Sequence, residues 1–304
     1  MRSVFFGTPD AAIPSLHSLA EISRVLGVIT RPDAARGRSK KLIASSVATA
    51  AGELAIPVFK PARRTEIYDI LTGLGSLDVG VVVAYGMILP GEVLANPAAG
   101  LVNVHFSLLP KWRGAAPVER AILAGDTETG VSIMAMDSGL DTGAIISSEV
   151  VPISDTESAG ELTARLAGVG ARLLGETLAA WTDGRINAVP QDDSRASYAS
   201  KLTTAESRLS LTEPSAAFVR KVRAFHPRPG AHAYLGDGRF KVLEAKLADG
   251  PPLSPGQLMF QDGQLWIGTA DTAVLLLSVQ PAGKPVMDAA GWARGHVADI
   301  GRLT

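Results

Sequence analysis

The sequence predicts an α/β fold in two parts: a doubly wound, Rossmann-like domain over residues 1–189, a linker over 190–209 and an OB-like β-barrel over 210–304. Three observations predict it. Through the first half, apolar runs of strand length alternate with stretches of helical period, the β-α-β-α order of a parallel sheet covered by helices. Beyond Tyr198 the texture changes to short strands separated by Gly, Pro and Asp, as in small antiparallel barrels. With 304 residues and 46% hydrophobic content, the chain is long and apolar enough for two domains.

In chain order, Ser3 to Phe6 is a strand that runs into Gly7-Thr8-Pro9, where Thr8 suits an N-cap and Pro9 the first position of a helix reaching Glu21. Val25 to Ile29, Asp78 to Ala84 and Leu101 to Phe106 are further strands. The near-continuous Val79-Gly-Val-Val-Val83 is of the kind buried on both faces of a parallel sheet. Helices are expected over Ser45 to Leu54, Arg63 to Leu74 and Ser158 to Trp181, the last with Leu162, Leu166, Val169, Leu173 and Leu178 on helical spacing. Asp183-Gly184 and the polar stretch Val189 to Ser197 make the natural boundary. The tail then offers one helix, Pro214 to Phe225, and strands at Ala231 to Leu235, Phe240 to Leu247, Gly256 to Phe260, Gln264 to Thr269 and Ala273 to Val279.

Ligands of doubly wound sheets bind outside the carboxyl ends of the strands, so Gly7-Thr8-Pro9, Ala84-Tyr85-Gly86 and the residues after Asn103 are expected to converge on one cleft. A dinucleotide would be the usual occupant. Gly7, however, stands alone where G-x-G-x-x-G should be, and no P-loop lysine motif occurs.

Leu101 to Phe106 carries two polar interruptions. Strand side chains alternate, so Asn103 and His105 point to the same side. Such a pair can offer an amide N–H and a ring N–H to one oxygen, and donors preorganised around a developing oxyanion are worth about 3 kcal/mol each. Asp141 can orient and charge-stabilise the imidazole, as a carboxylate does in hydrolytic triads. Taken singly, a His in an apolar strand is ordinarily a core residue and Asp141-Thr-Gly143 a turn. The Pro- and Gly-punctuated stretch Ser107-Leu-Leu-Pro-Lys-Trp-Arg-Gly-Ala-Ala-Pro117 between them favours a site.

Composition narrows the alternatives. Cysteine is absent, which removes a disulfide framework and a thiol nucleophile, and five scattered His form no metal-ligand spacing, so no metal is expected. Neither a signal-peptide core nor an apolar run of membrane-spanning length is visible, and the cytoplasm is the expected location. The net charge of −1 argues against a general polyanion binder. Yet Arg195 to Lys246 holds ten Lys and Arg against four Asp and Glu, which suits a barrel meeting a phosphate backbone as well as a merely solvated face. Arg31, Arg36, Arg38, Lys40 and Lys41, with Asp33 as the only acid, form a second basic cluster, in a loop that follows the second strand and so falls beside the cleft mouth.

The blocks Gly7-Thr-Pro9, Arg31 to Leu42, Ala84-Tyr-Gly-Met-Ile-Leu-Pro90, Asn103-Val-His105, Ser107 to Pro117, Gly130 to Met134, Asp137-Ser-Gly-Leu-Asp-Thr-Gly143, Tyr198 to Leu202, Arg223-Ala-Phe225 and Gln280 to Lys284 closely resemble the folate-dependent formyltransferases, and within them the tRNA-directed members. The resemblance runs almost end to end. It implies transfer of the formyl group of 10-formyltetrahydrofolate to the α-amine of methionyl-initiator tRNA, without a metal, by a monomer. On that resemblance Asn103, His105 and Asp141 occupy the catalytic positions. Ser107, Leu108, Leu109 and Pro110 match the folate-binding segment, and Tyr85, Gly86 and Leu89 belong to the pteridine pocket. Arg36, Arg38, Lys40, Lys41, Lys201, Arg220 and Arg223 are the tRNA contacts it implies. Phe106 departs from the family pattern, which often has a small residue there.

Rival readings are a formyltransferase for a small amine (glycinamide ribonucleotide or an amino sugar), an aspartic protease and a non-catalytic RNA-binding protein. The first would not need the basic loop and basic tail together. The second would place its two Asp-containing triplets on separate lobes, not at Asp137 and Asp141, and the third would not need the catalytic positions.

Overall fold

A computed structural model describes residues 1–35, 42–296 and 300–304. They fall into two compact units, one of Met1–Pro117, Glu128–Pro152 and Thr163–Ser200, the other of Val118–Thr127, Ile153–Leu162 and Lys201–Thr304. Arg36, Arg38, Lys40 and Lys41 lie outside the described residues; a short hairpin, Ala34–Ala35 paired with Leu42–Ile43, frames them.

The first unit is built on a seven-stranded sheet. Its strands are β1 (Arg2–Gly7), β2 (Arg24–Ile29), β3 (Val58–Phe59), β4 (Val79–Val83), β5 (Leu101–His105), β6 (Glu128–Ala135) and β7 (Ile145–Pro152), in the spatial order β7-β6-β5-β4-β1-β2-β3. The strands β1 to β5 are parallel, whereas β6 runs antiparallel to β5 and β7 antiparallel to β6. The Rossmann-like half is therefore real, with an antiparallel extension on the β5 side. Every residue of β4 is buried, as its valine run requires when both sheet faces are covered. Val4, Phe6, Ile29, Val82 and Leu101 of the sheet pack with Ile67 and Leu71 of the helix Glu66–Leu74. The helix Ser46–Glu53 starts at Ser45, whose hydroxyl accepts the Ala48 N–H at 3.0 Å and shares a 2.7 Å hydrogen bond with Thr30.

One expected cap is corrected. Thr8 does not cap a helix: a 3₁₀ turn, Asp10–Ala12, comes first, and the α-helix is Ile13–Ile22 with Pro14 in its first turn. The Thr8 hydroxyl instead donates to the Tyr85 carbonyl at 3.0 Å, tying the loop after β1 to the loop after β4. Strands β6 and β7 had no clear apolar signature, because Thr129 and Ser132 are polar residues on buried positions of β6 and β7 is partly exposed along most of its length. Residues 197–199, expected in a linker, are stitched into the first unit: the Arg113 N–H donates to Ser197 O at 2.8 Å, and Tyr198–Ala199 pairs in parallel with Arg113–Gly114.

The second unit is an antiparallel β domain. Its strands β8 (Ala231–Leu235), β9 (Gly238–Leu247), β10 (Leu258–Gln261), β11 (Gln264–Gly268), β12 (Ala273–Gln280) and β13 (Met287–Asp288) run in the order β8-β9-β12-β11-β10, with β13 beside β12. The helix Ser215–Phe225 buries Phe218, Val219, Val222 and Phe225 and packs against β9. A second helix, Ala289–Arg294, which no sequence signal singled out, sets Trp292 edge-on against Phe240 at 4.9 Å.

Within this unit Arg120 donates to Glu206 at 2.7 Å, and Glu206 also accepts the Thr203 N–H and hydroxyl, each at 2.9 Å. The hydrogen bond from Arg120, then those from Thr203, hold the Glu206 carboxyl down to about 2, against an ordinary 4.5. A depressed carboxylate stabilises the fold fully above its unfolded value and loses that contribution as pH falls through the folded one. Glu206→Gln is therefore expected to flatten the pH dependence of stability between about 4.5 and 2. Urea midpoints measured across that range check this, and an unchanged slope would refute it.

Candidate active site

The first unit contains a cavity of about 510 Å³ at the carboxyl ends of β4 and β5. Its walls are largely apolar, among them Met87, Leu89, Phe106, Met134 and Met136, while Asn103, His105 and Asp141 all reach it. A pocket of this size and lining fits a drug-sized organic molecule held by a few polar groups.

Strand β5 delivers two of those groups. Asn103 and His105 are both buried, on alternate residues of the strand, opposite Met134 and Ser132 of β6. Asp141 arrives from the turn after β6, in the left-handed region at φ 54, which costs a non-glycine residue about 1–3 kcal/mol. Its carboxylate is held from three directions. Oδ2 accepts the Gly114 N–H at 2.7 Å, Oδ1 accepts from the Asn103 amide at 3.5 Å, and Oδ2 lies 3.8 Å from His105 Nδ1. The other ring nitrogen, Nε2, is 2.9 Å from the Trp112 carbonyl. A carbonyl only accepts, so Nε2 carries a proton and Nδ1 is the nitrogen turned toward Asp141. Trp112 is itself left-handed, at φ 63. Gly114 has φ 120, and a Cβ there would meet the Ala199 carbonyl oxygen at 2.7 Å, so the donor to Asp141 sits where only glycine fits.

The remaining turn residues organise the loop. Asp137 accepts from the Gly139 N–H at 3.0 Å and the Thr142 hydroxyl at 2.7 Å, an Asx-type turn. Gln191 donates to the carbonyls of Asp141, at 2.9 Å, and Gly143, at 2.7 Å. Sequence reading did not single out Gln191; it lies in a polar stretch with no periodicity, 50 residues from its partner.

Of the residues expected to hold folate, Tyr85, Gly86 and Leu89 line the cavity and Ser107, Leu108, Leu109 and Pro110 do not. The Ser107 hydroxyl is buried and donates to the Lys111 carbonyl at 2.6 Å, and Ser132 fixes the same segment by bonding the Ser107 carbonyl and the Leu109 N–H. These bonds brace the segment beside the cavity. Nor does Gly7-Thr8-Pro9 reach the cavity, its contribution being the Thr8 bond to Tyr85. Phe106 lines the cavity, as do Asp137 to Leu140.

In the second unit, Lys201 is exposed. Arg223 is committed to structure: its guanidinium donates to the carbonyls of Glu157, at 2.8 Å, and Ser154. Burial holds it below the usual arginine range, against the pull of Asp155 and Glu157. Arg220 runs beside Gly125 with its Nε buried. Among the described residues no group of three or more His, Cys, Asp or Glu could hold a metal ion, and no helix is long and apolar enough to cross a membrane.

Comparison with known proteins adds a separate line of evidence. The formyl transferase model matches residues 1–178, and the formyl transferase C-terminal domain model matches residues 201–297. A methionyl-tRNA formyltransferase of Rhodococcus erythropolis is 45% identical over 303 residues, covering 98% of each chain. One from Mycobacterium tuberculosis is 44% identical over 308 residues, covering 99% of this chain and 98% of the relative. Among solved structures, the N-formyltransferase of Helicobacter canadensis, in complex with folinic acid and dTDP-3-aminofucose, superposes with a TM-score of 0.70 at 19% identity over 90% of this chain and 98% of that one. HypX of Aquifex aeolicus in complex with tetrahydrofolic acid gives 0.69 at 15% identity; this chain spans half of it. At such identities the likeness is one of fold.

Among the described residues the Tyr85 hydroxyl is buried without a partner, and burial pushes the phenol up to about 12. Removing an unsatisfied buried polar atom is neutral or stabilising. Tyr85→Phe is expected to leave the melting temperature unchanged or raised and the affinity for a cavity ligand unaltered, because the ring, packed edge-on to Phe6 at 5.5 Å, is retained. A fall in melting temperature on calorimetry would show that the hydroxyl has a partner.

Proposed function

The chain belongs to the formyl transferase family, and we propose that it transfers the formyl group of 10-formyltetrahydrofolate to the α-amine of methionyl-initiator tRNA, giving N-formylmethionyl-tRNA for translation initiation. The observation that carries this reading is the convergence of Asn103, His105 and Asp141 at one apolar cavity, in a chain 45% identical over nearly its whole length to a methionyl-tRNA formyltransferase. The cavity volume and lining suit a pteridine seated near Tyr85, Gly86 and Leu89.

The folate supplies the formyl carbon. An α-amine has a reference pKa near 8, so a useful fraction is neutral at physiological pH, and the harder task is charge on the formyl oxygen as the amine adds. Asn103 has an amide donor in reach of that oxygen. His105 contributes Nδ1, since Nε2 is engaged by Trp112; with the ring doubly protonated, Nδ1–H is a second donor. Asp141, close to both, stabilises that charged ring and takes up the amine proton, directly or through water. The carbon–nitrogen bond to the folate then breaks and its nitrogen recovers a proton.

Choice of amine falls to other parts of the chain. The second unit is read as an OB-like barrel that grips the acceptor arm. Closure is supported by the C-terminal residues: Leu303 pairs with Leu235 at the end of β8 and Arg302 with Gln257 next to β10, bridging the two outer strands. Lys201, Arg220 and the loop residues Arg36, Arg38, Lys40 and Lys41 are the proposed tRNA contacts. Arg223 enters that set by holding residues 154–157, not with a free guanidinium. A cytoplasmic monomer with 1–189 as catalytic part, 190–209 as connection and 210–304 as tRNA-binding part fits this reading.

Incubation with 10-formyltetrahydrofolate and either charged initiator tRNA or a small amine tests it, and product on the small amine alone would sink the tRNA reading. His105→Ala is expected to lower kcat about 10²–10³-fold with tRNA affinity unchanged; near-normal kcat would remove His105 from the chemistry. Neutralising Arg36, Arg38, Lys40 and Lys41 should reduce the slope of log K against log salt by roughly 0.7–0.9 per lost phosphate contact. An unchanged slope in filter binding would exclude contact.

A further inference from the structure

The geometry points to Gln191 and Arg113 as positioning residues that hold Asp141 in its reactive placement, an inference that rests on the formyl-transfer reading. Neither residue lines the cavity. What they control is the backbone of the Asp141 turn. The Gln191 amide nitrogen spends both its hydrogens on the carbonyls of Asp141 and Gly143, at 2.9 and 2.7 Å. Its oxygen accepts twice from Arg113, from Nε at 3.0 Å and Nη2 at 2.8 Å. Because one end faces two acceptors and the other a guanidinium, the amide has a single workable orientation.

Arg113 is in turn fixed. It is 2% exposed, and Nη2 also donates to Asp193 at 2.7 Å. Burial opposes its charge, but Asp193 and Tyr198 outweigh that and hold it above the usual arginine range. Its backbone is bonded to Ser197, and the next residue, Gly114, gives its N–H to the Asp141 carboxylate. One residue pair therefore reaches both ends of Asp141, the carboxylate through the Arg113–Gly114 backbone and the carbonyl through the Gln191 amide. Among the described residues, the turn is otherwise held by the local Asp137 bonds, by the Ala135 N–H to Ala144 carbonyl bond and by the Asn103 amide on the Asp141 carboxylate. A left-handed residue persists only where its surroundings over-determine it, and Gln191 supplies that constraint from 50 residues away.

Gln191→Met keeps the volume and removes both donors and the acceptor. In the full-length protein, assayed with 10-formyltetrahydrofolate and methionyl-initiator tRNA, kcat is expected to fall about 10- to 100-fold with KM for both substrates unchanged. In an Asp141→Asn background the same change should cost almost nothing further, since the residue it positions is already disabled. A crystal structure of Gln191→Met should place the Asp141 carboxylate away from the Gly114 N–H. Unaltered kcat, an undiminished loss in the Asp141→Asn background, or an unmoved Asp141 would each overturn the proposal. If Gln191→Met does not fold, Arg113→Lys, which keeps the buried charge and drops the fork, carries the same three comparisons. A wild-type protein that formylates neither amine would strike the functional reading alone, because the position of Asp141 is read without substrate.

Discussion

The hydrogen bond from the Gly114 N–H to the Asp141 carboxylate is the constraint on which the site depends. It joins two loops that share no secondary structure, the segment after β5 and the turn after β6, at a distance of 2.7 Å. Around it the backbone is forced into conformations that ordinary residues avoid: Asp141 and Trp112 are left-handed and Gly114 has φ 120. Strain of this kind gathers where a side chain must be aimed, and here it aims the three groups that meet His105: the Asp141 carboxylate, the Trp112 carbonyl and, through Asp141, the Asn103 amide. The imidazole is thereby fixed at Nε2 by an acceptor that cannot donate, which sets its tautomer and leaves Nδ1 turned toward Asp141.

Why these loops lie side by side follows from the sheet. A purely parallel arrangement would leave β5 at an edge. The antiparallel β6 instead covers it, pairing Asn103 with Met134 and His105 with Ser132, and the chain leaves β6 beside Leu101, at the start of β5, for the loop that carries Asp141 back to Asn103 and His105. Ser132 adds a second tie by bonding the Ser107 carbonyl and the Leu109 N–H, which fixes the start of the loop that ends at Gly114. The short antiparallel extension thus converts a strand end into an enclosed polar corner of an otherwise apolar cavity.

Much of this was legible in the sequence, and the limits are physical. Valine-rich β4 and the alternation of Asn103 and His105 declare themselves because burial on a strand leaves a period of two. The helix Ala159–Thr182 declares itself by its leucines, within one residue of the expected bounds at each end. What leaves no period is contact between loops. Thr8 read locally as a helix cap, yet its hydroxyl serves a carbonyl 77 residues away. Gln191 lay in a polar stretch whose composition says only that it is not core, while its function is set by two carbonyls and a guanidinium from distant parts of the chain.

The same division separates chemistry from specificity. On the proposed reading, a corner that offers two donors and a carboxylate to a formyl group is indifferent to the body that carries the amine; the fold itself is shared, at 19% identity, with an N-formyltransferase solved with a dTDP-amino sugar. Discrimination must come from surface outside the cavity, and a tRNA offers mainly phosphate. That calls for positive charge the reaction itself does not need, and the chain concentrates it between Arg195 and Lys246 while its total charge stays at −1. Not all of that charge is available: Arg223 is consumed by backbone carbonyls, so counting arginines overstates the nucleic-acid surface. An arginine can face a phosphate only where the fold has not already used its fork.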